Sequence, residues 1–239
     1  MDAAVPRTRA GAATGGRATG GSSGTCPYDP CPTNGDACKI LPLGDSIAWG
    51  IGYDGAYRVE LFSKAVGAQK KITFTGSLSN GPSTVAGQPF PKSNEGHSGW
   101  TIAQDTGLVP SPALSTLPNI VLLHIGTNDV YASSGQATMP DRLGQLMDKI
   151  ISAAPDALLV LAKIKPLNHS SWNATIKTYN DAMPGLVQTR VAAGKHVMLV
   201  DMNTGFASSM LSSDGIHPNQ SGYNFMGDTW YAAIGGCLH

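Results

Sequence analysis

The sequence is poor in charge. Asp, Glu, Lys and Arg make up 13% of its 239 residues, about half the usual share, and the two signs balance at sixteen each. No net field therefore draws the chain to nucleic acid, an anionic membrane or an acidic polymer, and a neutral partner is easier to accept. Long apolar runs are missing too. Nothing approaches the roughly eighteen apolar residues that span a bilayer, and residues 1–20 hold no apolar stretch that could serve as a secretion signal.

Cysteine is restricted to Cys26, Cys31, Cys38 and Cys237, with no C-x-x-C pair and no nearby His. This ranks a zinc site well below two disulfides in an oxidising compartment. Three pairings are open; a local Cys26–Cys31 bridge with a Cys38–Cys237 staple is the expectation. Sequons at Asn168, Asn173 and Asn219 are short patterns that add little. A monomeric, secreted, extracellular protein is expected, its signal lying outside this sequence.

What is present is small and polar. Residues 10–24 read AGAATGGRATGGSSG, with too little to bury to repay the entropy of ordering. Residues 1–24 are thus read as a flexible Gly-rich linker from an upstream module, or as an expression remnant. Residues 25–38 are read as a Cys-containing N-terminal segment and 39–239 as one domain.

From Cys38 onward short β-rich apolar runs alternate with helical patterns, the signature of a parallel sheet covered on both faces. Strands are expected at 39–43, 72–75, 119–125, 157–164 and 196–200, and helices near 55–67, 140–153, 173–193 and 219–234. In such α/β sheets ligands bind outside the carboxyl ends of the strands, so the polar loops there are where chemistry should lie.

Four of those loops carry suggestive residues. Ser46 in Gly44-Asp45-Ser46 follows the first strand; alone, it would be read as a helix cap. Asp214-Gly215-Ile216-His217 lets one bend aim a carboxylate at one imidazole nitrogen while the other faces a hydroxyl, as a Ser-His-Asp system requires. Asn128 in Gly126-Thr127-Asn128-Asp129, the backbone of Gly76 and the Ser46 N–H could together form an oxyanion hole. Each feature singly has a bland reading as cap, turn or surface residue. Their conjunction, in the order nucleophile, donor, donor, acid and base, does not.

GDS at 44–46, Gly76, GTND at 126–129 and DGIHPN at 214–219 resemble the four blocks of the SGNH, or GDSL, hydrolases. GAYR at 55–58 and EGHSGWTI at 95–102 resemble carbohydrate esterase family three, whose members remove acetyl groups from xylan. The resemblance implies an α/β/α sandwich with five parallel strands in the order 2-1-3-4-5, Ser46 as nucleophile, Gly76 and Asn128 as oxyanion donors, and Asp214 and His217 as acid and base. It implies an acetylated polysaccharide or oligosaccharide as substrate, a carbohydrate-binding module as a candidate for the upstream part, and no cofactor or metal, a structural calcium being left open. Ala48 and Trp49 depart from the usual first block.

Asp45, Trp49, His97 and Trp100 are candidates for substrate contact, with loop packing the stronger reading for His97 and Trp100. Arg58 is expected to brace a loop through an ion pair, and His124 to be a buried, hydrogen-bonded strand residue. Gly50 to Gly55 fits G-x-G-x-x-G but begins too late after the strand for a dinucleotide site. A lipid or short-chain esterase or thioesterase, and a non-catalytic carbohydrate-binding protein on the same fold, are the other readings.

Overall fold

The structure is a computed structural model and describes residues 26–132 and 134–239. The linker expected at 1–24 lies outside the described residues. The elements run β1 (Cys38–Gly44), α1 (Ser46–Trp49), α2 (Arg58–Gly67), β2 (Ile72–Phe74), β3 (Leu78–Ser79), β4 (Thr84–Val85), β5 (Gln88–Pro89), β6 (Ser93–Gly96), α3 (Ile102–Leu108) and β7 (Ile120–His124). They continue with α4 (Thr127–Val130), α5 (Met139–Ala153), β8 (Leu158–Lys163), α6 (Ser170–Ala192), β9 (Val197–Asp201) and α7 (Gln220–Ile234).

The five expected strands pair in parallel as β2-β1-β7-β8-β9, the order the resemblance implied. The sheet is nonetheless seven-stranded. Strand β2 reaches only the first part of β1, Cys38 to Ile40, while β6 takes over that edge at Leu43 and Gly44 and carries antiparallel β3 outside it.

Burial on both faces explains the near-continuous apolar strands. Side chains alternate between two cores with the period of the pleat. Ile40, Leu122 and Val160 pack under α2 and α7 with Leu61, Tyr223, Met226 and Trp230. Leu41, Val121 and Leu159 face α5 and α6 with Leu143, Met147, Ile150 and Met183. Helix α5 presents Leu143, Leu146, Met147, Ile150 and Ile151 on one stripe, and α7 is capped by Asn219, whose side chain accepts from Gly222 N–H.

The bridges are Cys26–Cys237 and Cys31–Cys38, not the expected pairs. The path of residues 26–30 explains the difference. Tyr28 stacks on His196, Asp29 pairs with His239 at 2.8 Å, and the Pro30 carbonyl accepts from Asn119. These contacts carry Cys26 to the C-terminus and leave Cys31 to turn back onto the start of β1.

Arg58 braces a loop as expected, but without an ion pair among the described residues. Its guanidinium is buried between Phe74 and Phe90 and donates to the carbonyls of Asn80 and Lys92 and to the Asn80 side chain. His124 is buried, yet among the described residues neither ring nitrogen has a hydrogen-bond partner, and burial pushes the imidazole down to about 3.

Candidate active site

Strand β1 delivers Ser46 to the carboxyl edge of the sheet. Gly44 is required there by close approach: a Cβ would stand 2.1 Å from the His124 carbonyl oxygen of neighbouring β7. Asp45 then caps α1 by accepting from the Ile47 N–H at 2.9 Å. Being fully buried, Asp45 cannot meet substrate, which corrects its candidacy. Burial pushes its carboxyl up to about 6, against the Ile47 bond and the nearby Lys165 charge.

His217 arrives from the loop before α7, and its Nε2 lies 2.8 Å from Ser46 Oγ. Its Nδ1 lies 2.7 Å from Asp214 Oδ2. A carboxylate at Nδ1 fixes the proton on that nitrogen, so Nε2 is left to accept from the serine hydroxyl. Asp214 also accepts from the Ile216 and His217 N–H groups and from Ser212 Oγ, all within 2.9 Å. Partial burial pushes its carboxyl up, but the bonds from the His217 ring, the two N–H groups and Ser212 outweigh this and hold it well below the usual carboxylate range.

Asn128 lies in α4 and is 8% exposed. Its Oδ1 accepts from the Tyr131 hydroxyl and one Nδ2 hydrogen goes to the Trp100 carbonyl at 2.7 Å. The amide is thereby oriented, with its second hydrogen still available to a ligand.

Gly76 is not at this rim. Its would-be Cβ points at the backbone of Asn94 in β6, 2.3 Å away, and β6 rather than β2 flanks β1 next to Ser46. The His97 N–H donates to the Gly44 carbonyl at 2.8 Å, and the Trp100 carbonyl is held by Asn128. Between these two anchors sits Gly99, exposed and at a φ of +84°, with nothing where a side chain would project. Gly99 was legible only as part of the EGHSGWTI stretch.

His97 is committed to the protein. Its Nε2 bonds Glu95 at 2.8 Å and its ring stacks on Trp100 at 4.2 Å, so it braces Trp100. Trp100 and Trp49 remain partly exposed, and the Trp49 carbonyl accepts from Asn80. Asp129 ties the same loop down, accepting from the Ile102 N–H at 3.0 Å and from Arg142 at 2.7 Å. Lys165 went unnoticed in the sequence, although it is the lone charge between apolar Ile164 and Pro166. It is buried, donates to the Ile216 carbonyl, and its ammonium is lowered to about 7 by burial.

Residues 43–225 match the GDSL-like Lipase/Acylhydrolase family. The chain belongs to that family. It is 30% identical to a multidomain esterase of Ruminococcus flavefaciens over 84% of its own length, and spans 29% of that protein. Among solved structures it resembles a Clostridium thermocellum family 3 carbohydrate esterase, with a TM-score of 0.73 and 35% identity, covering 83% of this chain and 96% of the other. An acetyl esterase mutant with an acetate ion matches at a TM-score of 0.68 and 27% identity, covering 80% and 93%. The chain therefore carries a GDSL-family domain with the fold of the SGNH hydrolases. No helix among the described residues is long and apolar enough to cross a membrane.

Proposed function

We propose that this protein is a serine esterase that removes O-acetyl groups from acetylated xylan by two-step acyl transfer. The observation that carries the reading is the unbroken chain of contacts from Ser46 Oγ through His217 to Asp214, at 2.8 and 2.7 Å. Ser46 attacks the ester carbonyl while His217 Nε2 takes its proton, and Asp214 holds the imidazolium that forms. The tetrahedral oxyanion accepts from Asn128 Nδ2, the Ser46 N–H and the Gly99 N–H, with Gly99 taking the part expected of Gly76. His217 then gives that proton to the sugar oxygen as its bond to the acetyl carbon breaks, so the sugar leaves with a free hydroxyl and the acetyl group stays on Ser46. Water activated by the same imidazole releases acetate, and no cofactor enters either step.

Secretion and a polysaccharide substrate are supported by the carbohydrate esterase relative and the two disulfides. Acetate release from acetylated xylan, compared with p-nitrophenyl esters of increasing chain length, tests the substrate. Rates that climb with acyl length while xylan acetate is ignored would make the protein a lipid esterase instead.

A further inference from the structure

Beside the proposed chemistry the rim carries aromatic rings that acyl transfer does not use. Tyr131 follows α4 and is 38% exposed; its hydroxyl is tied to Asn128, so the ring is fixed. Its centroid lies 5.3 Å from that of Trp172, in the first turn of α6. Trp172 in turn stacks on His169 at 4.1 Å and an interplanar angle of 26°.

This row is rigid and joined to the site at both ends. The Asn173 side chain accepts from the Leu167 N–H at 2.8 Å and donates to the Leu167 carbonyl at 2.7 Å, closing the loop that carries His169 and Trp172. The Asn168 N–H donates to the Gly215 carbonyl at 2.8 Å, between Asp214 and His217. The aromatic row therefore runs from the oxyanion side at Asn128 to the loop of the acid and base.

The surroundings, polar groups interspersed with apolar ones, separate the ligand classes. A hollow of about 440 Å³ meets the row at His169, with Asn168, Ser170, Asn173 and Ser208 set among Leu167 and Leu211 in its wall. A fatty acyl chain would call for a continuous aliphatic wall. A sugar ring offers apolar C–H faces to a flat aromatic surface and hydroxyls at its edge to amides and hydroxyls, which is the mixture found here.

The geometry points to a pyranose-binding shelf in which Trp172 stacks on a sugar ring of the polysaccharide whose acetyl group lies at Ser46, while Tyr131, tilted 45° to Trp172, borders that ring at its edge. It rests on the polysaccharide reading above and adds the residues that recognise the sugar. Its measure is the ratio of kcat/KM on acetylated xylo-oligosaccharides to kcat/KM on ethyl acetate, which has no ring. Trp172→Ala should lower that ratio at least tenfold, chiefly through KM, and Trp172→Phe, which keeps a flat ring and the packing, should recover most of it.

Titration of Ser46→Ala protein with unacetylated xylo-oligosaccharide should quench tryptophan fluorescence, and adding Trp172→Phe should remove most of that quench. A ratio that stays at the wild-type value in both Trp172 variants would overturn the shelf. An equal fall on both esters would overturn it as well, and would assign the row to holding Asn128. If wild-type protein hydrolyses ethyl acetate but shows no preference for the sugar acetates, the polysaccharide reading itself fails and the shelf falls with it.

Discussion

The buried ammonium of Lys165 donates to the backbone carbonyl of Ile216, the residue immediately before His217. The contact fixes the loop of Asp214 and His217 from below, where Asn168 fixes it at Gly215. A hydrogen bond with a charged partner contributes about 1.5–3 kcal/mol. If that energy holds the imidazole on Ser46, Lys165→Met should slow turnover about 10- to 100-fold with little change in KM. The melting temperature should not follow, because taking an ammonium out of water is itself costly. Steady-state kinetics beside thermal unfolding of the same sample checks both parts.

Asn128 and Gly76 were expected to play matching parts, and the structure separates them. Asn128→Ala should cost about 3–4 kcal/mol of transition-state stabilisation, read as turnover slowed about 100- to 1,000-fold. Gly76→Ala should act on stability instead, since the new Cβ would meet the Asn94 backbone at 2.3 Å. Its melting temperature should drop while the folded fraction keeps its turnover. A Gly76 variant that stays stable but inactive would restore Gly76 to the oxyanion hole.

The contrast shows which parts of the molecule the sequence discloses. Strands buried on both faces, such as Ile120–His124, announce themselves by apolar residues alone, and α5 by its spacing. Strand β6 reads Ser-Asn-Glu-Gly and joins the sheet through its backbone, with Asn94 and Glu95 buried by hydrogen bonds rather than by hydrophobicity. No apolar pattern marks it, so β2 was given its place and Gly76 the role for which Gly99 is now proposed. Helix α3 was missed for a related reason: of its seven residues, Ile102 and Leu108 are the large apolar ones. Ser46, Asp214 and His217 were legible because each stands in a short motif with local geometry of its own. Trp172 had no such frame.

Asp105 gives a pH signature independent of catalysis. Burial, reinforced by Asp45, Asp129 and Glu95, pushes its carboxyl up to about 8. In the unfolded chain it titrates near about 3.9. Between those values the folded protein retains a proton that the unfolded chain has released, so this group makes stability fall as pH rises from about 4 to about 8. Asp105→Asn removes the ionisation. Relative to wild type, the variant should gain roughly 4 kcal/mol between pH 5 and pH 8, at about 1.4 kcal/mol per pH unit, read as a progressive rise of its melting temperature over that of wild type. Parallel pH profiles of melting temperature for the two proteins would refute the assignment.

The disulfides should differ sharply in what they contribute. Cys26–Cys237 closes a loop spanning 211 positions, while Cys31–Cys38 spans seven. In the chain-entropy account the long loop restricts the unfolded state by about 5 kcal/mol and the short one by about 2.5. Cys26→Ser with Cys237→Ser should therefore lower the melting temperature more than Cys31→Ser with Cys38→Ser. Neither pair touches Ser46, so acetate release at low temperature should survive in both. Had the expected pairing been correct, each double variant would leave two unbridged thiols, and a thiol assay of the folded variants separates the two connectivities directly.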